Sequence, residues 1–211
     1  DLVAVGTMAE SANVIVVNPA SPFNSVADIV KAAKADPSRP INYGTAGVGS
    51  PQHLAMEQLA SIAGIKVQHI NYKGTAPAVN DLLANQTQVG AFSLSSMLPL
   101  IQGNKLRVLA VMTEKRTALL PQVPTVAELG FPGVDSSIRF ALFVPTGTPP
   151  DIIAKLAAAN TRAMADPVLK ENFLKAGYEI VSATPEQTAA MVRRENTVWG
   201  PVVKNLGLKM E

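Results

Sequence analysis

The chain has 211 residues, enough to bury a sizeable core as one large domain or two smaller ones. Lys and Arg total 18 against 16 Asp and Glu, a net charge of +2 without a basic run, which excludes the footprint of a nucleic-acid binder. There is no cysteine, hence no disulfide, thiolate metal site or thiol nucleophile, and no apolar run nears the roughly 18 residues of a membrane span.

The opening stretch DLVAVGTMAESANVIVVNP has no basic start and no signal-peptide layout, so the chain is cytosolic or lacks a leader. NVIVV (13–17) reads as a strand, and a helix follows over about 25–35, with Ser25 and Asp28 as a capping box. A short strand at Ile41–Tyr43 leads into Gly44, Gly47 and Gly49 and then a helix from Ser50-Pro51 to Gly64. Its apolar face is Ala55, Met56, Leu59, Ile62 and Ala63, with His53, Glu57 and Ser61 on another face. Strand KVQHI (66–70), a helix over Thr75–Ala84, strand QVGAF (88–92), a helix over Ser95–Gln102 and strand RVLAVM (107–112) come next. This βα succession predicts a largely parallel sheet flanked by helices. A longer strand begins at 138, and cap-then-proline pairs at 148, 166 and 184 open three more helices. VIVVNPAS and FALFVPTGT both end at a proline and bracket the region between them, as two crossovers joining lobes would.

The turn 44–50 has the makings of an anion site, because unpaired amides and the helix dipole meet there. It fits neither nucleotide fingerprint: the P-loop lysine is absent, and Gly47-Val48-Gly49 runs into Ser50, Pro51 and Gln52. An ordinary strand–helix turn would look the same. Tyr72-Lys73-Gly74-Thr75 repeats the design one unit later, with Thr75 expected as a cap. In a parallel sheet both turns lie at the carboxyl edge, so two helix starts converge. The plainer alternative is a packed turn tyrosine and a solvated lysine.

Catalytic equipment is sparse. His53 and His69 show no metal-ligand spacing, the serines at 93, 95 and 96 have no base evident in the sequence, and no catalytic residue, metal site or cofactor is expected.

NYGTAGVGSPQHLAMEQLASIAGIKVQHINYKGTAPAVNDLLANQTQVGAF resembles the signature of the periplasmic receptors of tripartite tricarboxylate transporters, the Bug family. LPLIQGNKLRVLAV, LPQVPTVAELGFPG and VPTGTPPDIIAKL continue the resemblance over nearly the whole chain. It implies an α/β, two-lobed periplasmic-binding-protein fold of type II, with residues 1–17 and 138–211 as an incomplete first lobe and 18–137 as the second. It implies a receptor rather than an enzyme, located in the periplasm. The receptor holds a small carboxylate through Thr45, Ala46, Gly47, Gly49, Ser50, His53, Tyr72, Lys73 and Gly74 and delivers it to the membrane components of such a transporter.

Three departures bear on this. The family's opening portion is missing; Ala91-Phe92-Ser93 stands where relatives carry Phe-Asp-Asn, making Ser93 the ligand-side group; and Arg139 replaces a tryptophan. Arg139 is expected either to grip a carboxylate in bidentate fashion or to pair with Asp135. Two other functions fit the residues: the effector-sensing domain of a transcription regulator, and an enzyme using the 44–50 turn.

Overall fold

A computed structural model describes residues 1–207, so the last four of the stretch 138–211 expected in the first lobe lie outside the described residues. The chain divides into two compact units, Asp1–Ser11 with Ile138–Glu211, and Ala12–Ser137.

A single long strand, β1 (Leu2–Val17), contributes to both. Only its last third reads as a strand in the sequence; Gly6, Ser11 and Glu10 break the apolar pattern before that. Val14, Ile15, Val16 and Val17 are all fully buried, as expected for β-branched residues in a strand covered on both faces.

The larger unit holds α1 (Val26–Ala35), β2 (Ile41–Gly44), α2 (Pro51–Ala63), β3 (Val67–Ile70), α3 (Thr75–Leu83), β4 (Val89–Ser93), α4 (Leu94–Gln102) and β5 (Arg107–Val111). Its strand order is β3-β2-β4-β1-β5. β2 runs parallel to β3 and β4, whereas β1 is antiparallel to both β4 and β5. The expected parallel sheet is therefore interrupted by one reversed strand, and the chain passes over it between β4 and β5. Phe92, Leu94, Met97, Leu82, Val14 and Val16 form the centre of the core against the sheet. Ile62, expected on the apolar face of α2, is instead exposed.

The cap assignments hold in part. Ser25 accepts from the Asp28 amide, but the Asp28 carboxylate reaches back to the amide of Asn24 rather than closing a box on Ser25. Ser50 caps α2, accepting from the His53 amide, and Gly64 closes the helix at φ 63. α3 is capped by Gly74 at φ 112, with Thr75 as its first residue, so Thr75 is not the cap.

In the smaller unit β6 (Ser137–Pro145) and β7 (Glu179–Ala183) pair with β1, β7 along Thr7–Glu10. β7 is a strand that the sequence reading missed: EIVSA is short, half-exposed and lies between two helices. α5 (Pro150–Ala165), α6 (Pro167–Lys175) and α7 (Pro185–Asn205) complete this unit. Asp166 and Thr184 cap as expected and Thr184 with Gln187 closes a full capping box, but α5 is preceded by Pro149 and takes no side-chain cap from Thr148.

Candidate functional site

β2 is in register with both parallel neighbours, Gly44 lying opposite Ile70 of β3 and Gly90 of β4. The helices that follow these strands, α2, α3 and α4, therefore all begin at one edge of the sheet. Three helix starts share that edge, one more than the two read from the sequence, and each contributes partial positive charge.

The 44–50 turn is more self-contained than its glycines suggest. The Gly47 amide donates to Thr45 Oγ1 at 3.2 Å, the Gly49 amide to His53 Nδ1 at 3.0 Å and the Ser50 amide to the Gly47 carbonyl at 3.3 Å. The His53 and Leu54 amides are taken by Ser50 Oγ and the Ser50 carbonyl. Among the described residues, the amides of Ala46, Val48 and Gln52 have no protein partner. The donors available to a ligand are thus fewer than the sequence implied, and Gln52 joins them while Gly47 and Gly49 shape the turn.

The second turn does lie against the first. The Gly74 amide donates to the Ala46 carbonyl at 3.0 Å, which joins the turns and uses up that donor. A Cβ at Gly44 would come within 3.2 Å of the Tyr72 ring, which would have to give by a few tenths of an ångström. The Tyr72 hydroxyl donates to Asp81 at 2.7 Å, and Lys73 is exposed. Ser93, buried at the end of β4, exchanges a 2.8 Å hydrogen bond with Ser96 and accepts one from Ser95.

Behind the first turn sits an aromatic and imidazole cluster that the sequence reading left unassembled. His53 and His69 stack with ring centroids 4.1 Å apart, and Tyr43 lies 5.1 Å from His69. Tyr43 donates to Glu57 at 2.6 Å, and His69 Nε2 is 2.8 Å from Thr45 Oγ1. Because Nδ1 of His53 accepts from Gly49, its proton resides on Nε2 and the ring is neutral. Burial lowers the His53 pKa against the opposing pull of Glu57; burial and then His53 push His69 down to about 4. The alternation of Val67 and His69 on one face of a strand was the available signal for His69.

The Thr45–His69 pair has the spacing of a nucleophile and its base, but Thr45 is fully buried and its hydroxyl is engaged within the turn. Among the described residues no group of acidic or imidazole side chains is arranged to hold a metal.

Arg139 belongs to the smaller unit. Its guanidinium is held by Glu10 at 3.1 Å and by Glu195, so the open bidentate grip expected from its sequence position is not what is found. The two carboxylates came from β1 and α7, more than 50 residues away on either side.

Residues 1–208 match the family described as tripartite tricarboxylate transporter family receptor. Protein BugT of Bordetella pertussis is 33% identical over 211 residues, all of this chain and 64% of its own length. Among solved structures, that of an R. palustris protein with adipate has a TM-score of 0.86 at 30% identity, covering 98% of this chain and 69% of that one. The periplasmic binding protein BugD gives 0.82 at 28% identity, covering 100% and 71%. This chain thus spans about two thirds of the length of these relatives, and its mixed α/β units are those of a two-lobed binding-protein fold of type II with an incomplete first lobe. The chain belongs to the tripartite tricarboxylate transporter family receptors.

Proposed function

We propose that this chain is the greater part of an extracytoplasmic receptor that holds a small carboxylate and performs no chemistry on it. The observation that carries the reading is the convergence of α2, α3 and α4 on one sheet edge, with the Ala46, Val48 and Gln52 amides lacking a protein partner. Such an edge stabilises an anion through dipoles and amides without a buried counter-charge, which favours reversible capture and release.

The adipate bound by the R. palustris relative supports a carboxylate as the ligand class. Thr45, Ala46, Gly47, Gly49, Ser50 and His53 make the first turn and helix start, Tyr72, Lys73 and Gly74 the second turn, and Ser93 ends β4 at the same edge. In this reading residues 18–137 form the lobe that carries the site, and 1–17 with 138–211 belong to the other lobe. The receptor works in the periplasm and hands its ligand to the membrane components of a tripartite tricarboxylate transporter, which the family's description supports.

The test is a thermal-shift and calorimetric screen of the chain against adipate, shorter dicarboxylates, monocarboxylates and neutral amides. A ligand at 100 times its Kd adds about 2.7 kcal/mol to stability, which the screen reads directly. Binding of neutral amides in preference to every carboxylate refutes the reading.

A further inference from the structure

Beneath the first turn of α2, three buried polar side chains close a directional ring of hydrogen bonds. Gln52 Nε2 donates to Asn13 Oδ1 at 2.8 Å, and Asn13 Nδ2 donates to Ser136 Oγ at 2.8 Å. Ser136 Oγ in turn donates to the Pro51 carbonyl at 3.2 Å, one residue from where the ring began. Asn13, Gln52 and Ser136 are 0%, 3% and 2% exposed. Buried amides and hydroxyls are tolerated only when paired, so apolar residues would fill the same space with fewer demands. Asn13 is the one polar residue in the run Asn13–Val17, whose other side chains are all fully buried aliphatics.

The ring's location gives it a role. Asn13 lies two residues beyond Ser11, where the chain leaves the smaller unit, and Ser136 two residues before Ile138, where it returns. The backbone stitches the same two segments together. The Asn13 amide donates to the Ser136 carbonyl at 3.3 Å, the Met112 amide to the Asn13 carbonyl at 2.8 Å and the Ser136 amide to the Met112 carbonyl at 2.6 Å. Gln52 meanwhile contributes one of the partnerless main-chain amides at the start of α2. One residue thus carries a partnerless amide in the first turn of α2 and a side chain bonded to Asn13 of the first passing segment, while Ser136 of the second reaches the neighbouring Pro51 carbonyl. Gln52 sits in the first turn of a helix and cannot shift its amide without its side chain.

We propose that Gln52, with Asn13 and Ser136, is a positioning group that couples an acid bound at the start of α2 to the two segments through which the chain passes between its units. The proposal rests on the receptor reading above, and it names which residues report occupancy of that site. An acid drawn onto the Gln52 amide pulls on the first turn, and the ring carries that displacement to residues 13 and 136.

The experiment is amide hydrogen exchange and calorimetry with adipate on the parent chain, on Gln52→Met and Ser136→Ala, which open the ring at different links, and on Thr188→Val. The last removes an equally buried hydroxyl pair, Thr7 with Thr188 at 3.0 Å, in the other unit. In the parent and in Thr188→Val, adipate slows exchange at the start of α2 and also at the amides of Asn13, Met112 and Ser136. In each ring variant the slowing at α2 persists while that at 13, 112 and 136 is lost, and affinity falls about tenfold, the equivalent of one net hydrogen bond. Slowing confined to α2 in the parent overturns the coupling and leaves the receptor reading standing. Retained slowing at 13 and 136 in both ring variants, or its loss in Thr188→Val as well, also overturns it. No binding heat from any mono- or dicarboxylate refutes the receptor reading itself and removes the ring's role with it.

Discussion

Replacing Gly47 and Gly49 by alanine, one at a time, separates a backbone position that can relax from one held by its own hydrogen bonds in the turn that orients the free amides. Gly49 has φ +74, and a Cβ built there meets nothing within 4 Å. Gly49→Ala therefore costs only the left-handed penalty of about 1–2 kcal/mol for an L residue. The loss of unfolded-state freedom returns about 0.4–1 kcal/mol of that, so the net effect is about 0.5–1 kcal/mol. Gly47 has φ +152, a more sparsely populated conformation for an L residue, and its Cβ would make ordinary van der Waals contact with the Tyr72 carbonyl at 3.4 Å. Its amide and carbonyl are both engaged, the carbonyl by the Thr45 hydroxyl at 3.1 Å and by the Ser50 amide, and any rotation breaks these bonds. Gly47→Ala thus costs about 2–3 kcal/mol, at the upper end for a sparsely populated conformation. For a chain of this size about 2–4 °C is lost per kcal/mol, so the two variants separate clearly in urea and thermal unfolding. Because Ala46 and Val48 flank Gly47, adipate affinity falls further in Gly47→Ala than in Gly49→Ala. Equal stability of the two variants, or a larger loss for Gly49→Ala, refutes the argument.

Two further outcomes follow from the charged and titrating groups. His53 and His69 have folded-state pKa values below the unfolded value of about 6.5, so the stability they confer is complete above that pH. It is lost as pH falls through the window from about 6.5 toward the His69 value of about 4. Thermal midpoints measured from pH 7.5 to 4.5 show this decline, and His69→Phe flattens it; an unchanged slope in the variant contradicts the assignment. Arg139→Met removes the guanidinium shared by the Glu10 and Glu195 carboxylates and costs about 0.2–1 kcal/mol per pair in denaturant unfolding, the range for partly exposed ion pairs. The ratio of adipate to monocarboxylate affinity stays unchanged in that variant, and a selective loss for the dicarboxylate would restore a direct grip by Arg139.

Elements with strong local signatures were legible in the chain. The start and stop of α2 follow from Ser50, Pro51 and Gly64, each of which acts on its own neighbours. The nearness of the two glycine-bearing turns followed from the βα repeat, since parallel strands must present the starts of their following helices at the same edge. Family membership was readable for a similar reason: its motifs are short runs of adjacent residues. β7 and the first half of β1 escaped because strands are stabilised by their neighbours, and neither carries an alternating pattern of its own.

The composition and local spacing by themselves determined an α/β chain without cysteine and with a glycine turn at the start of a helix. Only the tertiary structure decided which amides of that turn remain open, because Thr45, His53 and Ser50 occupy most of them through hydrogen bonds that spacing does not reveal. It also decided the fate of Arg139 and the ring of Asn13, Gln52 and Ser136, whose partners lie 39 to 129 residues apart. Polar side chains are directional and short in reach, so their partners are set by where the fold brings distant segments, and no local pattern in the sequence records that.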